Sequence, residues 1–145
     1  MSKIRRAMHS HPLITESIST RQRSEIVDIT DIVRRLVEEK KVRDGMAIIY
    51  IPHTTAAVTI NENYDPDVKH DLLKKLDALI PKNESYYRHD EGNSDSHLKT
   101  AIVGNSAQVL IEQGELVLGR WQGIYFCEFD GPREREMYVK IVEFA

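Results

Sequence analysis

The stretch of sequence richest in chemically active side chains is Tyr87–Lys99, which contains two histidines, His89 and His97. Between the two histidines lie three carboxylates and one carboxamide, Asp90, Glu91, Asn93 and Asp95. Such groups bind metals, hold phosphates and transfer protons. A solvated turn can carry the same residues, because Asn, Asp and Gly also suit turn geometry. The stretch therefore predicts either a functional loop or an ordinary turn.

A short helix is predicted directly after this loop, with Ser94 or Asp95 as its N-cap and Gly104 at its end. Apolar residues recur there at helical spacing, at Leu98, Ala101 and Ile102. His97 would lie in the first turn, where the positive end of the helix dipole disfavours imidazolium. Neutral imidazole ligates metals or accepts protons, and the same helix end can receive a phosphate or sulfate.

A third histidine lies at a break between two apolar runs. Pro52 follows the run Met46–Ile51 and lacks a backbone donor, so a strand end or a bulge is expected there. Side chains at such a break can point into a cleft, and here they are His53, Thr54 and Thr55. The alternative is that His53 is a structural histidine held by hydrogen bonds.

Asp71 is a further candidate, at the edge of the apolar stripe of a helix predicted from about Pro66 to Ile80. A carboxylate at that edge can face water or reach into a cleft, and the helical pattern leaves both open. His70 points further toward the polar face and is not included in the predicted site.

The elements that must position these residues are helices in the first half of the chain and mainly strands in the second. Two longer helices are predicted, about Asp31–Lys40 with Thr30 as N-cap, and Pro66–Ile80 with Asp65 as N-cap. Strands are predicted at Leu13–Thr20, Met46–Ile51, Ala57–Asn61, Ala107–Ile111, Leu116–Leu118, Ile124–Phe129 and Met137–Phe144. This order predicts an α+β fold with a largely antiparallel sheet and about three helices.

The chain has 145 residues, and we expect a flexible N-terminal arm over residues 1–12 and one compact domain over residues 13–145. A net charge of -3 provides no basic field for nucleic acid. The single cysteine, Cys127, excludes an internal disulfide and lies in an apolar run, as a small buried hydrophobe would. No apolar stretch is long enough to span a membrane and the basic start lacks an apolar signal region, so the cytoplasm is expected. Trp121 is expected to pack inside the sheet half of the chain.

Several segments together resemble the YjbQ-like proteins, also called uncharacterised protein family 0047, from about Thr15 to Phe144. The segments that carry the resemblance occur in the family's order: Asp28-Ile29-Thr30, His53-Thr54-Thr55-Ala56, Asn61-Glu62, Asp71-Leu72, His89, Asn93 through Lys99, Leu118-Gly119-Arg120-Trp121-Gln122 and Glu128-Phe129-Asp130-Gly131-Pro132-Arg133. Arg120 departs from the threonine that the family usually shows. Ser94-Asp95-Ser96 replaces smaller residues of many members, so Asp95 as a site residue rests on this sequence alone.

The resemblance implies a homotrimer with a cleft near the subunit contact, and a weak, secondary thiamine-phosphate synthase activity. That reaction joins an aminopyrimidine diphosphate to a thiazole phosphate with loss of pyrophosphate. The diphosphate needs neutralisation by Mg²⁺, Arg or Lys, for which Arg133 and Lys99 are candidates. Asp71 and Asp95 could hold a hard cation through oxygen, whereas imidazoles prefer Zn²⁺ or another transition metal.

Three hypotheses follow for the function. The first is an enzyme that binds a phosphorylated small molecule in a cleft formed by His53, His89 and His97, with Asn93 and Asp71 nearby and Arg133 at the rim. In this hypothesis the predicted anion-binding residues are Thr54, Thr55, Asp95, Lys99 and Arg133. The second is a metal-dependent hydrolase in which the three histidines ligate a divalent metal. The third is a trimer that binds an anion or metabolite without catalysis.

Overall fold

The computed structural model describes residues 7–144, which form nine strands and three helices. The strands are β1 (His9–Ser10), β2 (Ile14–Ser19), β3 (Glu25–Asp28), β4 (Gly45–Tyr50), β5 (Ala56–Glu62), β6 (Ser106–Glu112), β7 (Glu115–Leu116), β8 (Gln122–Glu128) and β9 (Glu134–Glu143). The helices are α1 (Thr30–Lys40), α2 (Pro66–Leu79) and α3 (Ser94–Val103). Residues 1–6 of the predicted arm lie outside the described residues, and β1, within its remainder, pairs with β9.

The strands form two antiparallel sheets, which confirms the predicted α+β class. The larger sheet has the order β1-β9-β4-β6-β7, with β2 also paired to β9, and the smaller has the order β3-β8-β5. In the larger sheet Ala47 of β4 lies opposite Val109 of β6 and Ile141 of β9. The short strand β3 was not predicted, because its four residues carry little apolar patterning of their own and depend on pairing with β8.

The main core joins one side of β8 to the larger sheet and α1. Ile124 and Phe126 belong to this core, whereas Tyr125 and Cys127 pack with Leu73 and other residues in a second cluster. Strand β8 is therefore buried on both faces, because successive side chains of a strand point to opposite sides of the sheet. The expectation that Cys127 is a small buried hydrophobe is confirmed, and burial raises the pKa of its thiol to about 12.

Hydrogen bonds from backbone N–H groups to nearby carboxylates mark where α1 and α2 begin. The Asp65 carboxylate accepts a hydrogen bond from the Asp67 N–H at 2.9 Å, as predicted for an N-cap before Pro66. Thr30 is the first residue of α1 rather than its cap, because the Asp28 carboxylate accepts from the Thr30 N–H at 2.9 Å. In α3, Asn93 occupies the N-cap position and Gly104 follows the last residue, with a positive φ of 104°.

Trp121 does not pack inside the sheet half, and that expectation is wrong. Its residue surface is 44% exposed, and it precedes β8 in the turn after Gly119. The inward positions of β8 begin only at Gly123, which approaches Asn63 too closely to accept a Cβ atom. No helix within residues 7–144 is both long enough and apolar enough to cross a membrane.

Candidate functional site

The first turn of α3 is held by a buried cluster of charges. Asp95 is completely buried, and the Arg23 guanidinium donates to both of its oxygens at 3.1 and 3.0 Å. Lys99, one turn further along α3, donates to Asp95 at 3.1 Å and to Asp77 of α2 at 2.5 Å. Burial alone would raise the pKa of the Asp95 carboxyl, but hydrogen bonds from Arg23 and Lys99 outweigh it and hold the pKa below its usual value. These charged side chains therefore pair with one another and fix the position of α3.

The segment after β8 fixes the same turn from the other side. The Ser96 hydroxyl donates to the Phe129 carbonyl at 2.5 Å, and the Asn93 carboxamide donates to Asp130 at 2.8 Å. Asp130 also accepts from Arg133 at 2.9 Å. The other amide atom of Asn93, Oδ1, is buried and has no hydrogen-bond partner within residues 7–144. Asn93 and Arg133 therefore meet through Asp130 beside the start of α3.

Two histidines meet on the surface of α3. The rings of His89 and His97 lie edge to face, with centroids 5.1 Å apart and planes at 90°. They line a cavity of about 500 Å³. Its lining residues are Tyr86, Tyr87, Arg88, His89, Ser94, His97 and Leu98. A cavity of this size accommodates a small organic molecule, and its tyrosines supply apolar surface with polar edges.

His97 also lines a second cavity, of about 350 Å³. The other lining residues are His53, Thr54, Thr100, Ala101, Gly104 and Asn105. The Thr100 hydroxyl is buried and has no hydrogen-bond partner in the part of the chain that the structure describes. An unpaired buried hydroxyl costs free energy. We refer to the two cavities on either side of His97 as the α3 cleft.

His53 is held as a neutral imidazole by the backbone of β9. The Glu136 N–H donates to its Nε2 at 3.0 Å, although the Glu136 carbonyl oxygen lies 3.1 Å from the same nitrogen. The backbone fixes the direction of the N–H, so Nε2 acts as the acceptor and Nδ1 carries the proton. Burial and the nearby Arg135 charge lower the pKa of His53 below its ordinary value of 6.5.

The structure brings together only part of the predicted site. His97 shares one cavity with His89 and the other with His53 and Thr54. Asn93 is buried beneath this surface. Asp71 is exposed on α2, where it contacts the His70 ring at 3.1 Å, and it lines neither cavity.

The predicted anion-binding residues other than Thr54 are engaged within the protein. Lys99 and Asp95 are buried in the charge cluster, and Thr55 accepts a hydrogen bond from Arg135 at 2.9 Å. Arg133 is bound to Asp130 and lines neither cavity of the α3 cleft. Each of these residues has a partner within the folded chain and is therefore not available to an anion. A sequence does not show which of its polar and charged groups will pair.

Tyr86, Tyr87 and Arg88 were not among the predicted site residues, although Tyr87 and Arg88 belong to the stretch Tyr87–Lys99 that the sequence analysis singled out. Aromatic and basic residues adjoining a histidine-rich loop were the signal that could have identified them. Within residues 7–144, no three His, Cys, Asp or Glu side chains are grouped closely enough to hold a metal ion. The His53 Nε2 is, in addition, already used by the backbone.

Comparison with known proteins gives a single family across almost the whole chain. Residues 15–144 match the family described as UPF0047 protein YjbQ-like. A UPF0047 protein of Methanocaldococcus jannaschii is 55% identical over 130 residues, which cover 90% of this chain and 94% of the relative. The sequence match thus spans both the α3 cleft and the strands that support it.

Solved structures give the same result. A YjbQ/UPF0047 family protein from Clostridium acetobutylicum, described as uncharacterized, is 52% identical with a TM-score of 0.86, covering 88% of this chain and 98% of its own. A YbjQ-like protein of unknown function from Sulfolobus solfataricus is 32% identical with a TM-score of 0.89, covering 95% and 100%. The fold is therefore shared across relatives of widely different sequence.

Proposed function

The chain belongs to the UPF0047 YjbQ-like family, and we propose that its α3 cleft binds a phosphorylated small molecule and transfers a proton through His97. One observation carries the proposal, namely that His97 lines both cavities of the α3 cleft. A group bound in either cavity lies beside the same imidazole. A side chain in that position can serve ligands on both sides as a general acid or base.

The two cavities suit different parts of a ligand. The larger has Tyr86, Tyr87 and Leu98 for a ring or an apolar moiety, and Arg88 for an anionic group. The smaller is lined by the polar residues Thr54 and Asn105, which suit a polar group. A phosphorylated ring compound combines these two kinds of chemistry.

A group transfer that releases pyrophosphate is one reaction of this kind, and the family resemblance favours it. In thiamine-phosphate synthesis the thiazole nitrogen forms a carbon–nitrogen bond to the aminopyrimidine methylene carbon. The bond from that carbon to the diphosphate oxygen breaks, and its electron pair leaves with pyrophosphate. Arg88 would neutralise the leaving group, and His97 would donate a proton to it. Lys99 and Arg133, the cations favoured from the sequence, are already paired.

A metal-dependent hydrolase is a second candidate, motivated by the contact between His89 and His97. Two imidazoles alone do not complete the usual zinc site, which takes at least three protein ligands. His53 could join them only by giving up its hydrogen bond from Glu136. The third candidate, a protein that binds an anion without catalysis, uses the same cleft and differs only in turnover.

We also propose that the chain assembles as a homotrimer with the α3 cleft near the subunit contact. Leu98 and Ile102 support this, because they are 44% and 69% exposed on the helix that lines the cleft. Exposed apolar side chains grouped on one helix favour burial against a partner. Sedimentation equilibrium should give the mass of a trimer, and a monomer at micromolar concentration would contradict the assembly.

The binding proposal is tested by calorimetric titration with pyrophosphate in the presence and absence of Mg²⁺. His97→Ala should weaken binding by at least about tenfold, because a hydrogen bond to a charged group is lost. The matched control is His70→Ala, which removes an exposed histidine of α2 that lines neither cavity. Equal binding by His97→Ala and the unaltered chain would place the site elsewhere.

Two further measurements separate the candidates. Turnover of the aminopyrimidine diphosphate and thiazole phosphate, lost in His97→Ala, supports the transferase over a binding protein. Titration with Zn²⁺ tests the hydrolase, which requires stoichiometric binding that His89→Ala and His97→Ala both abolish.

A further inference from the structure

A third cavity, of about 540 Å³, lies where the start of α1, the end of β5 and the turn before β8 meet. None of the three histidines of the α3 cleft lines it. Trp121 and Tyr64 form part of its wall, with exposed fractions of 44% and 76% and ring centroids 4.8 Å apart. Large aromatic side chains seldom stand exposed in a cavity unless they bind something, because their burial would be favourable. We call this cavity the Trp121 basin.

Hydrogen-bonding groups lie around the aromatic pair. The Asp28 carboxylate accepts from the N–H and hydroxyl of Thr30, at 2.9 and 2.6 Å, both through Oδ1. Burial acts to raise the pKa of Asp28, but the hydrogen bonds from Thr30, together with one from Asn63 and the nearby Lys69 charge, outweigh it and hold the pKa below its usual value. The Gln122 side chain accepts from the Gly119 N–H at 2.7 Å, which leaves its NH₂ group for a ligand.

Arg120 adds a cation at the edge of this cavity. Its guanidinium lies 4.8 Å from the centroid of the Trp121 ring. Within residues 7–144 it forms no ion pair, whereas Arg34 of the same cavity is paired with Asp31. An arginine that stacks on an aromatic ring keeps its N–H donors directed outward, which suits a phosphate.

We propose that the Trp121 basin binds a mononucleotide whose base carries an amino group. The base stacks on Trp121 or Tyr64, its amino group donates to Asp28, and its phosphate accepts from Arg120. Stacking on aromatic side chains combined with hydrogen bonds to the edge of the base is how proteins hold single nucleotides. A purely apolar ligand would make no use of the Asp28 carboxylate or the Arg120 guanidinium, and the net charge of -3 disfavours a long polyanion.

The sequence provides a direct probe, because Trp121 is the only tryptophan of the chain. We would titrate the full chain with AMP, CMP, IMP and UMP and follow tryptophan fluorescence, with calorimetry as a second readout. AMP and CMP should give a saturable change. IMP and UMP lack the amino group and should bind about tenfold more weakly, as expected for the loss of a hydrogen bond to a carboxylate.

Variants locate the response. Tyr64→Ala and Arg120→Ala should each weaken AMP binding by about tenfold, measured by calorimetry. Both side chains are exposed, so both variants are expected to fold, and their melting curves check this. Tyr50→Ala is the control, since Tyr50 is also an exposed tyrosine but lies outside the cavity, stacked on Tyr138.

The result that overturns the proposal is the absence of saturable binding with all four nucleotides, or equal affinity for AMP and IMP. AMP binding that survives in Tyr64→Ala and Arg120→Ala would also overturn it. His97→Ala should leave AMP binding unchanged, so failure at the α3 cleft and failure at the Trp121 basin are distinguishable.

Discussion

The α3 cleft and the Trp121 basin distribute their charged groups in opposite ways. Beneath the α3 cleft, Asp95 and Lys99 are buried and neutralise one another, and the groups left at the surface are histidines, tyrosines and a single arginine. In the Trp121 basin the charged groups are at the surface, among exposed aromatic rings. The first arrangement fixes the helix that carries His97, and the second leaves charged groups accessible at the surface of a cavity.

The difference teaches that a polar residue near a site is not necessarily part of it. Asp95 and Lys99 are each two residues from His97 in the sequence, yet their ionic groups dock α3 on α2 and on the loop between β2 and β3. Trp121, by contrast, has the large apolar side chain typical of a core residue but lines a cavity. Substitution at Asp95 or Lys99 should therefore lower the free energy of unfolding strongly, whereas substitution at Trp121 should lower it only slightly.

The largest effect is expected for Asp95→Asn. The substitution removes the carboxylate between Arg23 and Lys99 and leaves both cations partly uncompensated. Breaking a buried ion pair in this way costs about 3–5 kcal/mol in the free energy of unfolding. Urea denaturation measures it, with Glu39→Gln as the control, because Glu39 and its partner Arg35 have side chains that are 53% and 52% exposed and such pairs contribute about 0–1 kcal/mol.

The same pair has a defined pH dependence. The pKa of Asp95 lies below its ordinary value of 3.8 in the folded chain, so its contribution is present above that value and is lost as the pH falls below it. Asp95→Asn should flatten this part of the stability curve. An Asp95→Asn variant that loses no more stability than the Glu39→Gln control would mean that the charge cluster does not hold α3.

A smaller effect is expected for Trp121→Ala. Truncation of a buried aromatic residue costs about 3–5 kcal/mol, and Phe126→Ala, at a position with no exposed surface, should show that loss. Trp121 is 44% exposed, and loss of its contacts with Tyr64 and Arg120 should cost only about 1 kcal/mol. Calorimetric melting compares the two. If Trp121→Ala loses as much stability as Phe126→Ala, Trp121 is a core residue, and the contrast between the two cavities is contradicted.

The smallest effect concerns His53. Its pKa is lowered below 6.5 in the folded chain, so protonation favours the unfolded chain. The stability it contributes is present above that value and is lost as the pH falls through the lowered pKa. His53→Gln should remove this component of the decline measured between about pH 7 and about pH 5, a range that spans the ordinary histidine pKa. A steeper decline in the variant would show that His53 is charged in the folded chain.

Local patterns predicted much of the fold, and long-range contacts decided the rest. The start of α2 follows from Asp65-Pro66, and alternating apolar residues predicted most of the strands. The partner of Asp95 is Arg23, 72 residues away in the sequence, and no local spacing indicates that they meet. The buried pair of Glu128 and Arg135 was missed for the same reason, although only seven residues separate them.

The closeness of His89 and His97 follows from a local signal, whereas the contacts of their neighbours do not. His89 and His97 flank one loop and the start of one helix, so their approach follows from the short chain between them. Asp71 was included because the edge of a helical stripe leaves its direction open, and in the folded chain it faces solvent. Trp121 was misplaced because side-chain type alone does not show that the residue precedes, rather than joins, the buried strand β8.

The central claim, that His97 joins two cavities of one ligand site, is tested most directly by NMR of the six histidine rings during titration with pyrophosphate. The account predicts that the resonances of His53, His89 and His97 shift together with one saturating dissociation constant. The remaining three histidines should not follow them: His9, His11 and His70. Shifts confined to those three, or no saturable shift at His97, would contradict the account.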